Sequence, residues 1–129
     1  ASSKSSVEVF VANALEPSQF EQFDVVYCTL FVHHLDPPDV VRLLKAMSSK
    51  ARHLVIVDDL IRSRLGYLLA WIGTRLLSGS WVVHHDGPLS VKAAFTPTEI
   101  LDLASQAGLS NCVMECTWPE RYRLSWRPH

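Results

Sequence analysis

The chain has 129 residues, with 12 Lys and Arg against 13 Asp and Glu and 48% apolar residues. That length holds one domain, the charge balance offers no basic face for nucleic-acid phosphates, and the apolar content excludes disorder and fibrous repeats. A chain of this size buries roughly two thirds of its extended surface, enough for a core without disulfides or metals.

Three cysteines, Cys28, Cys112 and Cys116, are too few and too odd in number for a secreted disulfide framework, so a reducing cytoplasm is expected. Cys112 and Cys116 read as residues of one strand, roughly 13 Å apart, and make no zinc motif. The longest charge-free run of the apolar middle region, between Arg64 and Arg75, is ten residues. A bilayer needs about 20, so a soluble chain with no membrane partner is expected. Ala1 to Ser6 is small and polar, without the features of a signal or transit peptide. The expected organisation is a flexible segment over 1–6 and a single domain over 7–129.

In chain order, Val7 to Ala12 is a β-branched run stopped near Pro17, and it predicts a strand. Phe23 to Leu30 is an almost unalternating apolar run, suited to a strand covered on both faces of a parallel sheet. Asp36, Pro37 and Asp39 form a helix start, and Val40, Val41, Leu43, Leu44 and Met47 carry the helical period to about Ser49. His53 to Asp58 reads as a third buried strand. Leu65, Leu68, Leu69, Ile72, Leu76 and Leu77, with Tyr67 and Trp71, predict an amphipathic helix over 62–77. A loop over 78–94 leads to Thr96-Pro97-Thr98-Glu99, a capping box with proline at the first helical position, and Gly108 ends that helix. Two alternating strands follow, Cys112 to Trp118 and Tyr122 to Trp126, meeting at Pro119-Glu120. Alternating β and α units closed by an antiparallel hairpin imply an α/β, Rossmann-like three-layer sandwich.

The run Phe23 to Leu35 with His33-His34-Leu35, the aspartate-led helix and Leu54 to Asp58 resemble the central block of class I S-adenosylmethionine-dependent methyltransferases, in their UbiE-like small-molecule group. His85-Asp86-Gly87, Ser90, Ala94-Phe95-Thr96-Pro97 and Glu99 look like the end of that domain, so the resemblance covers about residues 7–127. It implies a seven-stranded sheet whose last strand is antiparallel, with the third to seventh strands present here. The family's first strand carries a glycine-rich turn and its second ends in an acidic residue for the ribose. Neither occurs in this chain, whose glycines all lie downstream of the Phe23 run. The resemblance therefore implies an incomplete domain, lacking the N-terminal half with its glycine-rich cofactor motif. In that topology the Val7 strand would have no partner, and apolar edges would be exposed. Another chain or a swapped copy would supply the missing half, or the Val7 strand would sit beside the Phe23 strand, or the chain is part of a longer protein.

The resemblance also implies site residues. Asn13 and Ala14 correspond to a cofactor-binding strand end, although Asn at such a place is equally a turn former. Cys28, Thr29 and Leu30 would lie on the rim where open α/β sheets bind ligands, with Cys28 alternatively plain packing. His33 and His34 match a position near the sulfonium or acceptor, where histidine serves as a base for oxygen or nitrogen methylation; the bland alternative is a loop or capping role. Asp58, Tyr67, Trp71 and His85 are candidate substrate contacts. Asp58 and Asp59 are poorly spaced for a metal, Asp59 is alternatively a helix cap, and Tyr67 with Trp71 is alternatively core. The implied activity is methyl transfer from S-adenosylmethionine to a small organic acceptor. The competing reading is a non-catalytic remnant that binds a partner or forms a homodimer through the edges left open.

Overall fold

A computed structural model describes residues 6–9, 11–16, 20–62, 64–77, 94–117 and 120–128. Its elements are β1 (Phe23–Thr29), a 3-10 turn (Val32–His34), α1 (Pro37–Lys50), β2 (Ala51–Leu60), α2 (Arg64–Leu77), α3 (Pro97–Gln106), β3 (Val113–Thr117) and β4 (Arg121–Trp126). The strands form one sheet in the order β1-β2-β4-β3. β1 runs parallel to β2, β4 antiparallel to β2, and β3 antiparallel to β4.

Local chemistry explains most boundaries. At the start of α1, Asp36 is extended and its carbonyl accepts from the N–H groups of Asp39 and Val40, while the prolines need no donor there. The Thr96 hydroxyl accepts from the Glu99 N–H at 3.2 Å, fixing the start of α3. Gly108, at φ +81, ends it in the left-handed region that glycine enters without a Cβ clash. β2 is longer than the predicted His53 to Asp58 because both its edges are paired: Phe23 to Thr29 of β1 lie against one, Arg121 to Trp126 of β4 against the other.

The sheet face carrying Val55, Val57, Tyr122 and Leu124 meets α1 and α3 through Val40, Leu44 and Ile100, all 0% exposed. Burying each such aliphatic side chain contributes about 1.5–3 kcal/mol. Alternate residues point the other way. There Val25, Tyr27 and Val113 are 50%, 55% and 55% exposed, and the free edge of β1 has no strand beside it among the described residues.

One expectation fails. The described residues of Val7 to Ala12 form no strand, and Val7, Val9 and Val11 are 87%, 90% and 103% exposed. An extended segment becomes a strand only when a neighbour takes up its N–H and C=O groups, and this one has none among the described residues. The arrangement with this run beside the Phe23 strand is likewise not formed. Trp118, Pro119 and the loop over 78–93 lie outside the described residues. No helix among the described residues is long and apolar enough to cross a membrane.

Candidate functional site

The carboxyl ends of β1 and β2 gather most of the candidate residues. β1 is followed by Leu30, a non-glycine residue at φ +52, whose N–H donates to the Asp58 carbonyl at 3.0 Å. That conformation costs roughly 1–2 kcal/mol, and it turns the chain from the sheet into the 3-10 turn bearing His33 and His34.

His33 is buried and its Nδ1 lies 2.7 Å from Oδ1 of Asp59, itself 1% exposed. The His33 backbone N–H donates to Asp59 Oδ2 at 3.3 Å, and the Leu60 N–H donates to Oδ1 at 2.7 Å. The Asp59 carboxylate is thus a receptor for three donors and fixes both the ring and the backbone of the turn. Next to a carboxylate, Nδ1 carries the proton, which leaves Nε2 as the imidazole's acceptor atom. His34 is exposed and its ring lies over His33, with 4.0 Å between centroids.

Tyr122 stands opposite Asp59 in the ladder and is 0% exposed, and its hydroxyl has no hydrogen-bond partner among the described residues. Burial first, then the Asp59 and Cys28 charges, push its pKa far above the ordinary tyrosine value. Cys28, on the same face, is pushed up to about 11 by burial and then by Asp59, which keeps it a thiol and removes it as a nucleophile.

Asp58 and Asp59 are neighbours in sequence but point to opposite faces, as successive strand residues must, so they do not share an ion. Asp58 Oδ1 accepts from Arg121 Nε at 3.0 Å and Nη2 at 2.7 Å, and Arg123 Nη2 lies 3.5 Å from Oδ2. The same Arg121 Nη2 reaches the Thr29 hydroxyl at 3.5 Å. Sequence reasoning named Asp58 and passed over Asp59 as a site residue. The signal for Asp59 was its parity with Val55 and Val57, which puts it on the core face.

A groove of about 390 Å³ runs along the free edge of β1, from Phe23 and Lys50 at the amino end to Cys28 and Phe31 at the carboxyl end. Ala14 and Phe20 reach it from the N-terminal segment, while Leu43 and Met47 of α1 form its floor. Ala14 and Cys28 both line this groove. The Asn13 side chain accepts from the Leu15 N–H at 3.0 Å, the turn-forming alternative. Tyr67 is half-buried on α2, and Trp71 is exposed with the Arg75 guanidinium 4.2 Å above its ring. His85 lies outside the described residues.

No protein-family profile and no curated protein matches the chain by sequence. Solved structures do match by shape. A Nostoc punctiforme protein assigned as an O-methyltransferase superposes with TM-score 0.60 at 18% identity, covering 92% of this chain and 35% of its own. LepI in complex with S-adenosylmethionine gives TM-score 0.58 at 16% identity, with coverage of 95% and 30%. A Bordetella parapertussis protein described as exported gives 0.65 at 13% identity, with coverage of 90% and 42%. The chain thus has a class I methyltransferase-like, Rossmann-type fold, and it spans 30–42% of the length of these neighbours.

Proposed function

We propose that this chain is the acceptor-side portion of an S-adenosylmethionine-dependent methyltransferase acting on a hydroxyl of a small organic molecule, completed by an N-terminal half that pairs with the free edge of β1. The observation that carries the reading is the buried His33–Asp59 pair at the carboxyl end of the parallel strands, 2.7 Å between Nδ1 and Oδ1. Open α/β sheets bind ligands at that end. LepI is solved with S-adenosylmethionine and the Nostoc protein is assigned to the O-methyltransferases, which agrees with it.

The residues present fit one wall of a cofactor site. Cys28, Thr29 and Leu30 form the rim of β1, Ala14 shares the groove with Cys28, and Asn13 precedes Ala14. S-adenosylmethionine, when bound, supplies a sulfonium methyl that is already activated for displacement. Asp59 then acts as a positioning residue: it holds Nδ1–H, which leaves Nε2 of His33 as the atom to take the hydroxyl proton. His34, exposed beside His33, is the surface across which an acceptor approaches. Asp58, clamped by Arg121 and Arg123, stiffens the neighbouring strand end and leaves the arginines as the polar contacts of that rim.

The test is methyl transfer from radiolabelled S-adenosylmethionine to a panel of small hydroxylated acceptors. The enzyme is purified through a tag on this chain, with whatever is joined to it or associates with it. Label in the acceptor fraction is expected, with a 10²–10⁴-fold loss in His33→Ala at unchanged circular dichroism. Transfer unaffected by His33→Ala overturns the base assignment. Absence of both transfer and binding of S-adenosylhomocysteine overturns methyl transfer.

The exposed edge of β1 favours one second reading, a non-catalytic module that pairs with a partner or with its own copy. Light scattering on the purified chain separates the two: a stable dimer with no cofactor binding supports the module, and a monomer that binds cofactor removes it.

A further inference from the structure

A second cleft, of about 320 Å³, lies at the opposite end of the domain from His33, where α1 finishes, α3 turns toward β3, and β4 ends beside the start of β2. Its charged lining consists of Lys45 and Arg127, with no carboxylate among the described residues around it. Neither cation makes an ion pair among the described residues, whereas Arg42, Arg52, Arg62, Arg121 and Arg123 all do.

The wall between the cations is polar. The Ser48 hydroxyl accepts from the indole N–H of buried Trp126 at 2.8 Å, which occupies one of its two lone pairs and leaves its O–H as a donor. Ser110 and Asn111 line the same cleft and add a hydroxyl and an amide. Helix carboxyl termini ordinarily repel anions. Here the last carbonyls of α3 are taken up by the chain itself: Ala107 N–H bonds to Leu103, Gly108 N–H to Ser105 and Leu109 N–H to Ala104. Among the described residues, two unpaired cations, hydroxyl and amide donors, and no carboxylate make the complement of a tetrahedral oxyanion. The volume exceeds what the ion alone fills, and Leu109 offers an apolar wall for a carbon skeleton.

We propose that this cleft binds a small soluble organic phosphate, independently of the methyl-transfer site. The test follows backbone amide shifts of the 129-residue chain during titration with glycerol 3-phosphate, inorganic phosphate, and chloride at matched ionic strength. Saturable shifts at Ser110, Asn111 and Arg127 in the millimolar range are expected with both phosphates and not with chloride. Lys45→Gln with Arg127→Gln removes exposed charge only, and is expected to weaken binding at least tenfold; Ser48→Ala is expected to weaken it severalfold. Methyl transfer, where present, is unchanged in the double variant. Equal shifts with chloride, or undiminished phosphate binding by the double variant, overturn the proposal. So does binding to phosphatidic acid vesicles without binding of either soluble phosphate, since the ligand would then be a lipid headgroup. None of these readouts depends on cofactor binding, so this site and the methyl-transfer site fail separately.

Discussion

β1 and β2 lie side by side, and each has an apolar run at its centre, Val25 to Cys28 in one and Leu54 to Val57 in the other. Yet on the core face Val55 and Val57 of β2 are 0% exposed while their ladder partners Val26 and Cys28 of β1 are only half-buried, and on the other face Leu54 and Ile56 are half-buried while Val25 and Tyr27 are 50% and 55% exposed. Composition does not separate the two strands; the number of neighbours does. β2 has a strand on each edge and helices over one face, whereas β1 has one paired edge and a groove beyond it. A strand that is apolar on both faces belongs inside a sheet covered twice, so β1 carries a sequence suited to neighbours that these residues do not provide.

That contrast has consequences that chemical denaturation can grade. The largest is in the shared core. Leu44→Ala, at a site 0% exposed, is expected to cost about 2–5 kcal/mol by urea unfolding, through lost burial and the cavity left behind. Next is the polar joint beneath His33. Asp59→Ala leaves the His33 ring and two backbone N–H groups without their acceptor, and the expected loss is about 1–3 kcal/mol. A smaller effect depends on pH. The folded chain holds the Cys28 proton up to about 11, whereas the unfolded chain releases it near 9.0. The native state therefore binds more protons in that window, and stability falls as pH rises from about 9 to 11. Cys28→Ala is expected to flatten that part of the alkaline decline, seen by comparing unfolding midpoints at both ends of the window. The smallest is Val25→Thr on the open face of β1, expected within about 0.5 kcal/mol of the parent. A loss there as large as that of Leu44→Ala would mean that β1 is covered in solution, and the contrast between the strands would disappear.

What could be read in the sequence follows the range of the forces involved. The start of α3 was legible because Thr96 and Glu99 are three residues apart and bond to each other. β4 was legible because Tyr122, Leu124 and Trp126 alternate with Arg121, Arg123 and Ser125, and the buried set is indeed the aromatic and aliphatic one. Val7 to Ala12 was misread, since its alternation states only a capacity to pair, and pairing depends on a neighbour elsewhere in the chain. The candidate site divides in the same way. His33 and the rim of β1 were visible through resemblance. The Asp59 contact joins residues 26 positions apart, and it exists only because the register Thr29↔Asp58 brings the two strand ends level. A register is a property of two strands together, so neither segment alone announces it. The arginine clamp on Asp58 was hidden for the same reason, requiring β4 to come in beside β2.

The order β1-β2-β4-β3 carries a further consequence for synthesis. The strand that seals the second flank of β2 is translated long after β2 itself, with α2, α3 and β3 in between. Until it emerges, the nascent chain carries a half-dressed central ribbon, which is the period when chaperone capture or clumping is most favoured. Trimming the polypeptide just before Arg121 would prolong that condition indefinitely, so the carboxyl-terminal hexapeptide strand governs yield in the cell more than its length suggests.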